Sequence, residues 1–184
     1  MSYDIYCYKS KLDRPNLEEA QAIMELEEEE SSSDPETKLK IAKVLIDYNP
    51  KFESFEFDHE EISKLQGTSI DEAKKAFDHI ELNTPDGDLA TQITIFGDTV
   101  SITVPYWYSG DQANEVFNNI NEYAKVIRQT VGYFVYDPQT DKVFDPLNDN
   151  IFELDLYKSM TDQVEKMKTE QIEKLNKKPW WKFW

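Results

Sequence analysis

Three short runs of alternating apolar and polar residues, Ile80–Asn83, Thr91–Phe96 and Thr99–Pro105, constrain this chain most. Pro85-Asp86-Gly87-Asp88 and Gly97-Asp98 join them. A period of two sends successive side chains to opposite faces, and both joints carry turn-forming residues, so the segment reads as an antiparallel meander with one face in a core. That face must be buried against another element. The next segment supplies one. Ala113, Val116, Phe117, Ile120, Tyr123, Ala124, Ile127 and Val131 follow helical periodicity, behind a capping-box spacing at Ser109-Gly110-Asp111-Gln112 and ahead of Gly132 at the position of a C-terminal cap.

The flanking segments extend the same pattern. Tyr3–Tyr8 alternates and predicts a strand; Asn16 predicts the cap of a helix running to about Glu30, with Leu17, Ala20, Ile23 and Met24 on its apolar face. Ser31-Ser32-Ser33 breaks that helix, and Asp34-Pro35 starts another that carries Leu39, Ala42, Leu45 and Ile46 and stops before Asn49-Pro50. Phe52, Phe55 and Phe57 suggest a short strand or an aromatic-packed segment, and a brief helix over Glu60–Leu65 ends at Gly67. Ser69-Ile70-Asp71-Glu72 is a capping box that opens a further helix through His79. Tyr133–Asp137 and Lys142–Asp145 read as two strands around Pro138-Gln139-Thr140-Asp141. A last helix is expected from about Leu156 to Lys178, ended by Pro179. The expected class is α+β: an antiparallel sheet, with a meander in the middle of the chain, packed by several helices and followed by a long C-terminal helix. The expected division is 1–155 as an acidic α+β domain and 156–184 as a helix with a Trp-rich tail. A length of 184 residues suits one domain with an appended element.

Aromatic residues make up 13% of the chain, enough apolar area for a core despite a net charge of -17. That charge weighs against nucleic acid as a partner, because phosphates would meet a repelling field. The single cysteine, Cys7, excludes an intrachain disulfide and any multi-cysteine zinc site. No basic and apolar leader opens the sequence and no run approaches the ~18 apolar residues of a membrane span, so a cytoplasmic location is expected.

Catalytic chemistry has little support. His59 and His79 stand twenty residues apart without a metal-binding spacing, although Glu60 or Glu61 could join one of them. Cys7 lies in a predicted strand, where a thiol is usually structural. There is no nucleophile elbow, phosphate-cradling loop or dinucleotide fingerprint, and five glycines in the whole chain nearly exclude the last two. Neither Asp86-Gly87-Asp88 nor the series Asp137, Asp141, Asp145, Asp149 combines the alternating acids, internal glycine and distal glutamate of a calcium loop, and both read as turn residues. No catalytic, cofactor or metal residue is assigned.

Two features point to binding instead. Seven of the fourteen residues in Leu17–Glu30 are glutamate, and Glu25, Glu27, Glu28, Glu29 and Glu30 gather at the negative end of their helix, where charge hinders rather than helps. At the other extreme stands Trp180-Trp181-Lys182-Phe183-Trp184. Residues 156–184 carry +3 and the preceding 155 carry -20. The candidate partner-binding residues are therefore Glu25, Glu27, Glu28, Glu29, Glu30, Trp180, Trp181, Phe183 and Trp184. The aromatic cluster has three fates: packing on its own domain, insertion into a partner's groove, or contact with a membrane surface helped by Lys177, Lys178 and Lys182.

The opening Met-Ser-Tyr-Asp-Ile-Tyr-Cys-Tyr, together with Val104-Pro105-Tyr106-Trp107 and Gly132-Tyr133-Phe134-Val135-Tyr136-Asp137-Pro138-Gln139, resembles a loose group of small acidic bacterial proteins that begin with a Tyr-Asp-Ile-Tyr or Tyr-Asp-Leu-Tyr strand. The resemblance implies a role as an immunity partner of a bacterial toxin and carries no catalytic residue across. The function expected is a non-enzymatic protein-binding module, an immunity-type inhibitor of a basic bacterial effector. The first alternative is a peripheral membrane or assembly adaptor acting through the tail, and the second is a carboxylate- or metal-dependent enzyme.

Overall fold

The computed structural model describes residues 2–25, 34–149, 157 and 166. Strand β1 (Ser2–Tyr8) leads to helices α1 (Leu17–Met24) and α2 (Pro35–Tyr48). A short strand β2 (Glu53–Phe55), helices α3 (His59–Gln66) and α4 (Ile70–Ala76), and the meander β3 (Ile80–Asn83), β4 (Gln92–Ile95) and β5 (Thr99–Pro105) follow. Helix α5 (Gly110–Val131) then precedes β6 (Phe134–Asp137) and β7 (Lys142–Phe144). The seven strands form one antiparallel sheet in the order β2-β3-β4-β5-β1-β6-β7. The class is α+β with a central meander, as the alternation predicts.

Local chemistry accounts for most element ends. Asn16, Asp34 and Asp58 each accept backbone N–H bonds in the first turn of α1, α2 and α3, and Ser69 with Glu72 closes the expected capping box on α4. Gly67 and Gly132 take the left-handed conformation after α3 and α5.

Three expectations need correction. Helix α4 ends at Ala76 rather than at His79, because Phe77 and His79 turn away to pack with Phe57 at ring separations of 5.2 and 4.8 Å. Ser109 stands at the start of α5 but makes no side-chain cap, so the capping-box spacing there is not used. Helix α1 ends at Met24 with Glu25 as its cap, and the glutamates expected to prolong it lie outside the described residues. Among the described residues the longest helix is α5, with 22 residues, and it is not C-terminal. The helix expected over 156–178 lies outside them except at Tyr157 and Lys166, both helical.

Helices α2 and α5 cover one face of the sheet. Ile41, Ala42 and Leu45 of α2 and Val116, Phe117, Ile120, Ala124 and Ile127 of α5 meet Tyr3, Ile5 and Cys7 of β1, Val100, Ile102 and Val104 of β5, Ile93 and Ile95 of β4 and Leu82 of β3 in a single buried cluster. Tyr157 joins it, fully buried, and its hydroxyl donates to the Pro105 carbonyl at 2.6 Å. Helix α1 makes a smaller cluster on the other face, where Leu17, Ala20, Ile23 and Met24 pack on Tyr8, Phe134 and Tyr136. Among the described residues no helix is long and apolar enough to cross a membrane.

Burial pushes the Cys7 thiol up to about 12, so the thiolate needed for reaction is scarce at neutral pH. The native protein should therefore be inert to a thiol-reactive disulfide reagent and titrate one thiol only after denaturation. Fast labelling without denaturant is the contrary result.

Candidate functional site: the open face of the sheet

Strand register assigns every side chain of the sheet to a face. Leu82, Ile93, Ile102 and Ile5 stand opposite one another in a row, and Ile95, Val100, Cys7, Val135 and Phe144 in a second; both belong to the core. The alternate rows point away from it. One runs Glu53, Asn83, Gln92, Thr103, Asp4, and the other Phe55, Glu81, Thr94, Ser101, Tyr6, Tyr136, Val143. Helix α1 shields the β1–β6–β7 end of this second face. Among the described residues, the helices that pack on the middle strands, α2 and α5, do so from the core side.

The open face is acidic. Strands β1 to β5 contain Glu53, Glu81 and Asp4 and no lysine or arginine, and register puts all three carboxylates on this one face. Two are held in place. Asp4 accepts from Ser2 Oγ at 2.9 Å and from Thr103 Oγ1 at 2.7 Å, and Glu81 accepts from Asn83 Nδ2 at 2.7 Å. Such bonds fix the negative charge relative to the backbone, so a partner has little side-chain entropy to remove there.

At the Ser2–Pro105 end the face deepens into a cleft of about 220 Å³ lined by Ser2, Asn83, Thr91, Gln92, Thr103 and Trp107, among others. Trp107 is 59% exposed, an unusual state for the largest apolar side chain. At the opposite end, Phe57, Phe77, His79 and Phe96 form an aromatic cluster, with Phe57 to His79 at 4.8 Å and His79 to Phe96 at 5.2 Å. Phe55 extends it at 5.0 Å from Phe57. His59 also meets Phe57, at 6.3 Å, so both histidines are ring-packing partners at the edge of this face. Among the described residues no three His, Cys, Asp or Glu side chains gather as a metal site would need.

The aspartates of the expected turn series work singly. Asp137 is buried, taking the Tyr3 hydroxyl at 2.6 Å and the Gln139 N–H at 2.9 Å. Asp141 bonds Gln21 and Tyr136, and Asp145 pairs with Arg128 and accepts the Leu147 N–H. Asp149 accepts the Asp145 N–H at 2.8 Å.

Of the partner-binding residues read from the sequence, Glu25 is exposed at the end of α1. Glu27, Glu28, Glu29, Glu30, Trp180, Trp181, Phe183 and Trp184 lie outside the described residues. Sequence reasoning passed over the open face, although its signal was present. The polar positions of the meander, Glu81, Asn83, Gln92, Thr94, Ser101 and Thr103, are as regular as the apolar ones, and none is basic.

The fold and this face define a class, an α+β protein with an antiparallel sheet covered on one side and carrying an acidic, aromatic-flanked surface on the other. Comparison of the chain with protein-family models, curated proteins and solved structures finds no match.

Proposed function

We propose that this chain is a non-enzymatic protein-binding module that meets a basic partner across the open sheet face, as an immunity-type inhibitor would occupy a basic effector surface. The observation that carries this reading is the placement of Asp4, Glu53 and Glu81 on one face of five strands that contain no lysine or arginine. Like charges on one surface repel one another, and a cationic partner relieves that repulsion while being steered in by the wider field of a -17 protein. The aromatic residues at both ends supply the apolar contact that charge alone does not give. A β-sheet is also a stiff platform, so the charged rows keep their spacing when a partner docks.

The test compares two neutralised variants of equal net charge in titrations with an oligo-lysine peptide at low and moderate salt. Asp4→Asn/Glu53→Gln/Glu81→Gln removes the charge of the face. Glu36→Gln/Asp111→Asn/Glu115→Gln removes the same charge from α2 and α5, on the covered side. Exposed ion pairs contribute roughly 0.5 kcal/mol each, so the face variant should bind about tenfold more weakly and with a reduced salt dependence. The control variant should change by less than about twofold. Equal weakening by both variants, which would reflect net charge alone, overturns the reading.

A further inference from the structure

Resting on that reading, we propose that the cleft beside Trp107 receives one arginine side chain of the basic partner, its guanidinium stacked on the indole and its N–H groups directed at oxygen atoms of the lining.

Size is the first argument. A volume of about 220 Å³ lies below the ~300–1,000 Å³ of pockets that hold cofactors and drug-sized ligands. It is the space of about seven waters at ~30 Å³ each, suited to one long side chain.

Hydrogen-bond polarity is the second. The hydroxyl protons of the lining are already committed within the protein. Ser2 Oγ and Thr103 Oγ1 donate to Asp4, at 2.9 and 2.7 Å. Thr84 Oγ1 donates to the Leu89 carbonyl at 3.0 Å, and Thr91 Oγ1 to the same carbonyl at 3.4 Å. A hydroxyl whose proton is engaged offers only its lone pairs, so Ser2, Thr91 and Thr103 are left as acceptors, while Thr84 Oγ1 already takes the Thr91 N–H at 2.9 Å. The Asn83 amide is oriented too, because its Nδ2 donates to Glu81 and its oxygen is the remaining end. Apart from the Gln92 amide and the Trp107 indole N–H, the fixed polar side chains of the lining present acceptors, which favours a ligand rich in donors. Guanidinium has five N–H donors and no acceptor, whereas an ammonium has three on a compact charge that does not stack.

Electrostatics is the third. Among the described residues no lysine, arginine or histidine lines the cleft. Lys51, which reaches the β3–β4 turn, is held there by Asp88 at 2.9 Å. The Asp4 carboxylate is bonded to Ser2 and Thr103, and the exposed Trp107 is an indole of the kind on which guanidinium groups stack.

The experiment titrates the full chain with an oligo-arginine peptide and an oligo-lysine peptide of equal length, followed by ¹H–¹⁵N NMR. The Trp107 indole signal is assigned by its absence in Trp107→Phe. The arginine peptide should bind about tenfold more tightly than the lysine peptide and shift the Trp107 indole together with the amides of Asn83, Gln92 and Thr103. Trp107→Ala should reduce the preference to about twofold or less, and Gln92→Leu, a substitution at a half-buried surface position, should lower it by a smaller factor. Equal affinity for the two peptides with an unmoved indole overturns the arginine site. If Asp4→Asn/Glu53→Gln/Glu81→Gln still weakens both peptides in that case, the acidic docking reading stands alone. If that variant weakens neither, the docking reading itself fails. A shift of the indole by the lysine peptide equal to that by the arginine peptide also overturns the specificity argued here.

Discussion

Replacing Tyr3 by alanine should cost about 3–5 kcal/mol of stability, the range found when a fully buried large aromatic is truncated. Tyr3 is 0% exposed and sits at the middle of an aromatic box. Its ring meets Tyr106 edge-on at 6.0 Å, Phe117 at 5.2 Å and Tyr157 at 5.9 Å. The alanine variant therefore leaves a cavity between β1, β5 and α5 and strands three rings at once. Its hydroxyl does separate work. It donates to Asp137, a carboxylate that is 1% exposed, so Tyr3→Phe keeps the packing and takes a donor from a buried acceptor. That milder variant should cost about 1–3 kcal/mol. Urea unfolding of the three proteins measures both terms. A Tyr3→Phe loss as large as that of Tyr3→Ala would show the hydrogen bond, rather than the box, to be the dominant part.

The second large effect is expected at Arg128, near the end of α5. Its Nε and Nη2 donate to the two oxygens of Asp145 at 3.1 and 3.0 Å, and Nη1 donates to the Gly132 carbonyl at 2.6 Å. The guanidinium carbon lies 4.0 Å from the centre of the Phe134 ring. One side chain thus ties the cap of α5 to β6 and to the turn after β7. Arg128→Ala should cost about 2–3 kcal/mol at neutral pH, the scale of hydrogen bonds to charged groups in a largely buried setting. Arg128→Lys should recover little, because a point charge cannot span both carboxylate oxygens. The Arg128 bonds, helped by the Leu147 N–H, hold the Asp145 carboxyl below the usual carboxylate range. A depressed folded-state value means that the stabilisation is complete above the unfolded carboxyl value near ~3.9 and is lost as pH falls through the folded value. The wild type should accordingly lose more stability than Arg128→Ala between neutral pH and about pH 3. Parallel acid profiles for the two proteins would contradict this account.

The parts of the fold that were legible in the sequence are the ones set by near neighbours. Ile93, Ile95, Val100, Ile102 and Val104 alternate because adjacent hairpin strands share a face, and the Asp34-Pro35 start and the Gly132 stop act within one helical turn. What was hidden is pairing across distance. Nothing in Tyr3–Tyr8 states that it lies between β5 and β6, since its alternation suits any position with a covered face. The same blindness affected the candidate site. Glu53, Glu81 and Asp4 are far apart in sequence, and only register places them on common rows of one face. The contiguous Glu25–Glu30 and Trp180–Trp184 clusters stand out in a linear sequence, whereas residues joined only by register do not. Phe77 and His79 show the converse case: their helical continuation was plausible locally and lost to ring packing with Phe57.

The central place of β1 has a consequence for how the protein is made. Ser2 pairs with Pro105 and Tyr6 with Tyr136, so the strand translated earliest among these waits for more than a hundred residues before both its neighbours exist. Until β5 exists Ile5 and Cys7 have no sheet to enter, and the aromatic box around Tyr3 lacks Phe117 until α5 follows. Closure of such long loops precedes any gain from the contacts, which makes folding slow relative to helical proteins of this size. Synthesis should therefore run well past β6 before the nascent chain resists protease, and a chain stalled just after β5 should remain sensitive although its meander is complete.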